Sequence, residues 1–139
     1  MNRAEEDREP MDAFFIEKTI YYHDTDCGGV VYYANYLKYM EEARTEYFRS
    51  RGVELQKLAE SNIWFVVARV EIEYKSPARY QDRLKIFVTI EEARLSTVKF
   101  AHEIKRGEKI VAKCSATLVC VGGDFRPMPL PEQVKKLLK

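Results

Sequence analysis

Hydrophobic positions along this chain follow two different periods. Residues 14–22 (FFIEKTIYY) place Phe14, Ile16, Ile20 and Tyr22 on one face, which predicts a strand. The segment 23–31 (HDTDCGGVV) reads as a loop with Gly28-Gly29 at its flexible point. Between 33 and 50 the period lengthens. Tyr36, Leu37, Met40, Ala43, Tyr47 and Phe48 recur at helical spacing, so this stretch predicts an amphipathic helix. Arg51-Gly52 supplies its stop, and a short helix is expected around 54–60. From Trp64 onward strict alternation takes over. Trp64, Val66, Ala68, Val70, Ile72 and Tyr74 share one face until Ser76-Pro77 breaks the run. Leu84 to Ile90, Val98 to Ile104 and Ile110 to Cys120 alternate in the same way, with Arg106-Gly107-Glu108 as a hairpin turn. Gly122-Gly123 ends the last strand, and residues 131–138 predict a terminal helix.

The element order is β-α-β-β-β-β. Short turns imply antiparallel pairing, and one long helix against such a sheet is an α+β arrangement. Residues 1–12 carry seven charges and a proline and read as a disordered lead, with Met11 as a candidate start. Residues 13–139 then form a single domain. One helix cannot cover both faces of a five-stranded sheet. Val111, Val119 and Val121 fall on the outward face in this register, which predicts at least a dimer.

Composition narrows the class. The 139 residues carry 23 Lys+Arg against 22 Asp+Glu, a net charge of +1, so bulk nucleic-acid binding is not supported. No apolar run approaches the length of a membrane span. The charged N-terminus has no signal-peptide core, which makes the cytoplasm the expected location. Cys27, Cys114 and Cys120 form no disulfide framework and no metal-ligand spacing, so no metal or cofactor is expected. Cys114 and Cys120 read as small buried residues. Seven of the nine tyrosines lie between Tyr21 and Tyr47, and of those on the helix Tyr36 and Tyr47 fall on its apolar stripe.

That same region carries the candidate chemistry. Asp24 and Asp26 sit in the loop feeding the helix and share a side if the chain is extended. A carboxylate against an apolar wall or a second carboxylate can act as base or nucleophile. Gly28-Gly29 allow close approach of backbone to a ligand. No Ser, Thr or Asp directly precedes the helix, so its first N–H groups are left without a side-chain cap. Free donors a few residues from a carboxylate could hold an oxyanion. Acyl transfer or hydrolysis at an activated carbonyl is one reading; simple Asx-turn and capping chemistry is the other. His102 reads as a satisfied core histidine, and Glu42 and Arg44 as solvent or interface charges.

The stretch YHDTDCGGVVYYANYLKYMEEARTEYF resembles the signature of hotdog-fold acyl-CoA thioesterases. It is most similar to the branch of 4-hydroxybenzoyl-CoA thioesterase and the Tol–Pal-associated thioesterases. VEIEYKSPARYQDRLKI, with its S-P-A break, supports the same register. The resemblance covers roughly Ile16 to Val121. It implies a long central helix wrapped by the sheet, pairing of two protomers, and sites at their interface, with homodimers often joined into homotetramers. It implies that Asp26, second Asp of D-T-D, acts on the thioester as nucleophile or general base. Tyr33 matches the position whose backbone N–H polarises the carbonyl. Glu41 matches a helix position facing the acyl pocket. Phe65 replaces a small polar residue there, which favours an aliphatic or other apolar acyl group over 4-hydroxybenzoyl. Arg94 matches a basic position that holds coenzyme A phosphates; Leu95 and Ser96 interrupt the basic run, which implies a weaker nucleotide grip or one that uses Lys99 or Arg79 instead. The implied substrate is acyl-CoA and the products are free CoA and a carboxylic acid.

Two other readings compete. A hotdog hydratase needs a histidine partner, and none follows Asp26 before His102. A non-catalytic hotdog protein that binds an acyl carrier or another partner would leave acyl-CoA intact.

Overall fold

A computed structural model describes residues 13–138. The disordered lead expected for residues 1–12 and the Met11 start therefore lie outside the described residues. The chain forms β1 (Phe15–Thr19), a 3-10 turn (Tyr22–Asp24), α1 (Asn35–Ser50), α2 (Leu55–Glu60), β2 (Trp64–Tyr74) and β3 (Arg83–Ala93). It continues as β4 (Thr97–Arg106), β5 (Lys109–Val121), α3 (Glu132–Lys135) and a closing 3-10 turn (Lys136–Leu138). The α+β hotdog arrangement expected from the sequence is present: one long helix against five antiparallel strands. Among the described residues, no helix is long and apolar enough to cross a membrane.

The strand order is β1-β3-β4-β5-β2. Thus β2 pairs with β5 rather than with β3, and its other edge has no strand beside it among the described residues. The β2–β3 connection must carry the chain past β5 and β4. That crossing contains the S-P-A segment, residues 76–78.

α1 buries Tyr36, Tyr39, Met40, Ala43, Tyr47 and Phe48 against the inward positions of β3, β4 and β5. Phe100 on β4 meets Phe48 edge-on at 5.6 Å and Tyr47 at 6.3 Å. Such rings supply much of a small core's buried area. The stripe differs from the expected one at two places. Leu37 is exposed, whereas Tyr39 is buried at 2%. Tyr39 lies in phase with Tyr36, Ala43 and Tyr47, and Leu37 is rotated off that line.

The outward valines need correction. Val111 and Val121 are buried, and Val119 is half-buried. Ile104 faces Ala112 and Lys105 faces Ile110, so Val111 is an extra residue in the ladder, a bulge that breaks the alternation. Val121 bridges to Pro127 where the following loop folds back. The outward face of β4 and β5 carries Lys99, Glu103, Lys113, Ser115 and Thr117 and is polar. Exposed apolar side chains gather elsewhere: Trp64, Val67 and Tyr74 on β2, and Tyr32, Tyr33 and Leu37 around the start of α1. A second bulge between Val67 and Arg69 reverses the facing of β2, so Phe65 joins Val70 and Ile72 against the core.

Cys114 and Cys120 are buried free thiols, as expected; burial pushes the Cys114 thiol up to about 12. Two other expectations fail in the core. Arg44 is buried rather than a surface charge. His102 is buried but only half satisfied: Arg44 donates to its Nε2, and its Nδ1 has no hydrogen bond of standard geometry.

Candidate active site

The chain leaves β1 and turns at once. The Tyr21 N–H donates to the Asp24 carboxylate at 2.8 Å, closing the 3-10 turn and ending the strand earlier than the expected 22. The two carboxylates therefore do not share a side. Asp24 is buried, whereas Asp26 is exposed. The Tyr39 hydroxyl approaches Asp24 without a well-formed hydrogen bond; burial first, and that carboxylate second, hold its phenol above the ordinary range.

Asp26 heads a tight loop. Its N–H donates to Val30 O at 2.9 Å, and the Gly29 N–H returns to Asp26 O at 3.0 Å. The Gly28 N–H donates to Asp26 Oδ1 at 2.8 Å, fixing the carboxylate rotamer. Gly29 has φ +80°, a left-handed conformation that side chains resist. The loop is clamped from outside by the crossing segment. Val31 N–H donates to Ala78 O at 2.8 Å, and Val30 bridges Arg79. The second sequence motif thus holds the first in place.

The helix start is tied to the same loop. Asp24 O accepts from the Tyr32 N–H and from Asn35 Nδ2, both at 2.9 Å. Ala34 stands at the N-cap and offers no side-chain cap, as the sequence implied. Among the described residues the N–H groups of Tyr33 and Ala34 have no acceptor. Uncapped helix donors carry partial positive charge and suit an anion or a developing oxyanion.

Asp26 and Tyr33 line one open cleft of about 370 Å³ together with Val30, Val31, Tyr36, Tyr74, Lys75, Ser76 and Pro77. The Tyr32 and Tyr33 rings lie 4.8 Å apart. The neighbouring Tyr33 hydroxyl chiefly holds the Tyr32 phenol above its usual value, with the Asp26 charge a smaller contributor. A carboxylate and free N–H donors on one apolar cleft can attack, or direct water onto, a bound carbonyl.

The other expected site residues lie apart from this cleft. Glu41 is exposed one turn beyond Leu37 and accepts the Thr45 hydroxyl at 3.2 Å. Phe65 stacks on Phe48 at 5.8 Å. Arg94 borders a groove of about 440 Å³ on the outward sheet face with Arg69, Thr97 and Lys99. There it pairs with Glu92 at 2.9 Å. Lys99 thus joins Arg94, while Arg79 belongs to the Asp26 end. Tyr74, Ser76 and Pro77 were not singled out from sequence as site residues. Their signal was the S-P-A break, legible as a boundary but not as a wall of the cleft.

Residues 21–138 match the family model described as the thioesterase-like superfamily. The chain is 36% identical over 118 residues to the acyl-CoA thioesterase YbgC of Haemophilus influenzae, covering 84% of this chain and 87% of that protein. It is 30% identical over 124 residues to a 1,4-dihydroxy-2-naphthoyl-CoA hydrolase of Microcystis aeruginosa, covering 88% and 90%. The crystal structure of a 1,4-dihydroxy-2-naphthoyl-CoA thioesterase from Synechocystis superposes with a TM-score of 0.84 at 25% identity, covering 91% and 95%.

Proposed function

Because this chain belongs to the thioesterase-like superfamily, we propose that it hydrolyses acyl-CoA thioesters at the Asp26 cleft. The observation that carries the reading is the one cleft lined by both Asp26 and Tyr33, the latter with an N–H that has no acceptor among the described residues. In the step proposed, the thioester carbonyl oxygen points at the Tyr33 N–H. Asp26 adds to the carbonyl carbon directly, or removes a proton from a water that does so. Negative charge moves onto the oxygen, where the helix-start donors stabilise it. Where water adds, collapse expels the CoA thiolate, which takes up the proton that Asp26 removed, and leaves the free carboxylic acid. Where Asp26 adds, collapse expels the thiolate and leaves an Asp26–acyl anhydride, which water then cleaves to the acid and the Asp26 carboxylate. The D-T-D stretch favours the 4-hydroxybenzoyl and Tol–Pal-associated branch, and Phe65 in place of a small polar residue favours an aliphatic or other apolar acyl group over 4-hydroxybenzoyl.

The working unit in this reading is a homodimer joined along β2, with a homotetramer as its further association. β2 is an edge strand of eleven residues that exposes Trp64, Val67 and Tyr74, a liability unless another strand covers it. Tyr74 pairs with Ala112 and Thr97 with Val119, so the Asp26 and Arg94 ends are separated by roughly 20 Å along β5. Antiparallel pairing of two β2 strands would bring one protomer's Arg94 end beside the other's Asp26 end. Arg94 and Lys99 would then hold CoA phosphates across the interface. Glu41 and Phe65 would line the acyl side.

Thiol release from a panel of short, long and aromatic acyl-CoA esters tests the activity. Asp26→Asn is expected to lower turnover by roughly 10²–10⁴ while CoA binding persists. Silence of the wild-type protein across the panel would favour a non-catalytic acyl-carrier or partner-binding role instead. Unchanged turnover of Asp26→Asn would remove Asp26 from the mechanism.

A further inference from the structure

We propose that Tyr74 is a positioning residue that sets the geometry of the carbonyl-binding N–H groups at the start of α1. The inference rests on the role given to Tyr33 above. Tyr74 ends β2, and its hydroxyl donates to the Tyr33 carbonyl oxygen at 3.1 Å across 41 residues of sequence. Tyr33 precedes the N-cap Ala34, so its carbonyl lies outside the helical hydrogen-bond ladder. The Leu37 N–H goes to Ala34 O at 3.2 Å. The helix leaves the Tyr33 carbonyl unused, and Tyr74 takes it.

This bond acts on the donors directly. The Tyr33 carbonyl and the Ala34 N–H belong to one peptide plane. Holding the oxygen fixes where that N–H points and restrains the adjoining plane that carries the Tyr33 N–H. A hydrogen bond accepted by the oxygen also polarises the amide and strengthens its N–H as a donor. Tyr74 is itself well anchored. Its ring lies 5.7 Å from that of Tyr36. Immediately after it, the N–H groups of Lys75 and Ser76 both donate to Val111 O, at 2.8 and 3.2 Å. The β5 bulge at Val111 thus fixes the end of β2, and Tyr74 transmits that rigidity to the helix start.

Tyr74→Phe in the full-length protein tests this, because it keeps the ring and its contact with Tyr36. The expected result is a kcat about 5–20-fold lower with KM within about twofold of wild type. The amide resonance of Ala34 should move while the rest of the spectrum holds. Tyr74→Leu, which removes ring and hydroxyl together, should show the same kcat loss with a lower melting temperature. Wild-type kcat in Tyr74→Phe, a change confined to KM, or an unmoved Ala34 resonance would overturn the inference. An inactive wild-type protein would sink the thioesterase reading and this inference with it. An active wild type with an unimpaired Tyr74→Phe sinks the inference alone.

Discussion

Arg44 Nη1 lies 3.4 Å from His102 Nε2, and both side chains are buried in the core with no carboxylate paired to them among the described residues. A guanidinium can only donate, so Nε2 accepts and the ring proton sits on Nδ1. That leaves a buried Nδ1 without a standard partner. Burial first, and the Arg44 charge second, depress His102 to about 3, with the Phe87 backbone opposing them weakly. Burial likewise lowers Arg44 from its usual value.

The pair predicts an acid limb in the stability profile. Unfolded histidine binds its proton below about 6.5, whereas folded His102 stays neutral to about 3. Between those values the unfolded state holds more protons, so stability present above pH 6.5 is lost as pH falls. The full span corresponds to about 5 kcal/mol. Urea midpoints at pH 7 and pH 4 should show the loss, and Arg44→Met should reduce the difference between them by raising the His102 pKa. A pH-independent difference between wild type and Arg44→Met would exclude the coupling.

The two loop glycines should separate stability from activity. A Cβ on Gly29 meets nothing within 4 Å, but its φ of +80° is strained for alanine. Gly29→Ala should therefore cost about 1–2 kcal/mol of stability, read as a lower melting temperature. Gly28 has no such strain, yet its added Cβ would lie 3.2 Å from Asp26 Oδ1. Gly28→Ala should displace the carboxylate and lower kcat about tenfold with little change in melting temperature. Equal melting losses in the two variants would contradict this division.

What the sequence made legible, and what it hid, follows from the range of the interactions. The inward faces of β3, β4 and β5 were readable because Leu84, Ile86, Val88 and Ile90 recur at every second position and Val98 to Ile104 and Ala112 to Cys120 alternate without interruption, although Phe87 on the other face of β3 is buried as well. The bulges at Val111 and after Val67 were not, because one extra residue changes the facing without changing the composition. Residue type alone points Arg44 to solvent or an interface, whereas its helical phase with Met40 and Tyr47 puts it in the core. Asp26 and Tyr33 could be paired because both belong to one local segment. Tyr74 could not, because its contact with Tyr33 depends on β2 crossing to the far edge of the sheet.

A site shared between protomers makes one prediction that a self-contained site does not. Asp26→Asn should lose turnover, and Arg94→Ala should raise KM for acyl-CoA, more so at low salt where the phosphate contact is least screened. Dimers formed by refolding the two variants together include heterodimers. In each heterodimer, one site combines the intact Asp26 of the Arg94→Ala chain with the intact Arg94 of the Asp26→Asn chain. The other site carries both changes. Random mixing should therefore restore about a quarter of wild-type activity at an acyl-CoA concentration that leaves Arg94→Ala nearly silent. If each protomer uses its own Arg94, every site keeps at least one lesion and mixing restores nothing. Val67→Lys on the exposed β2 edge supplies the control. A charge there should break strand pairing, give a monomer by ultracentrifugation, and abolish the complementation.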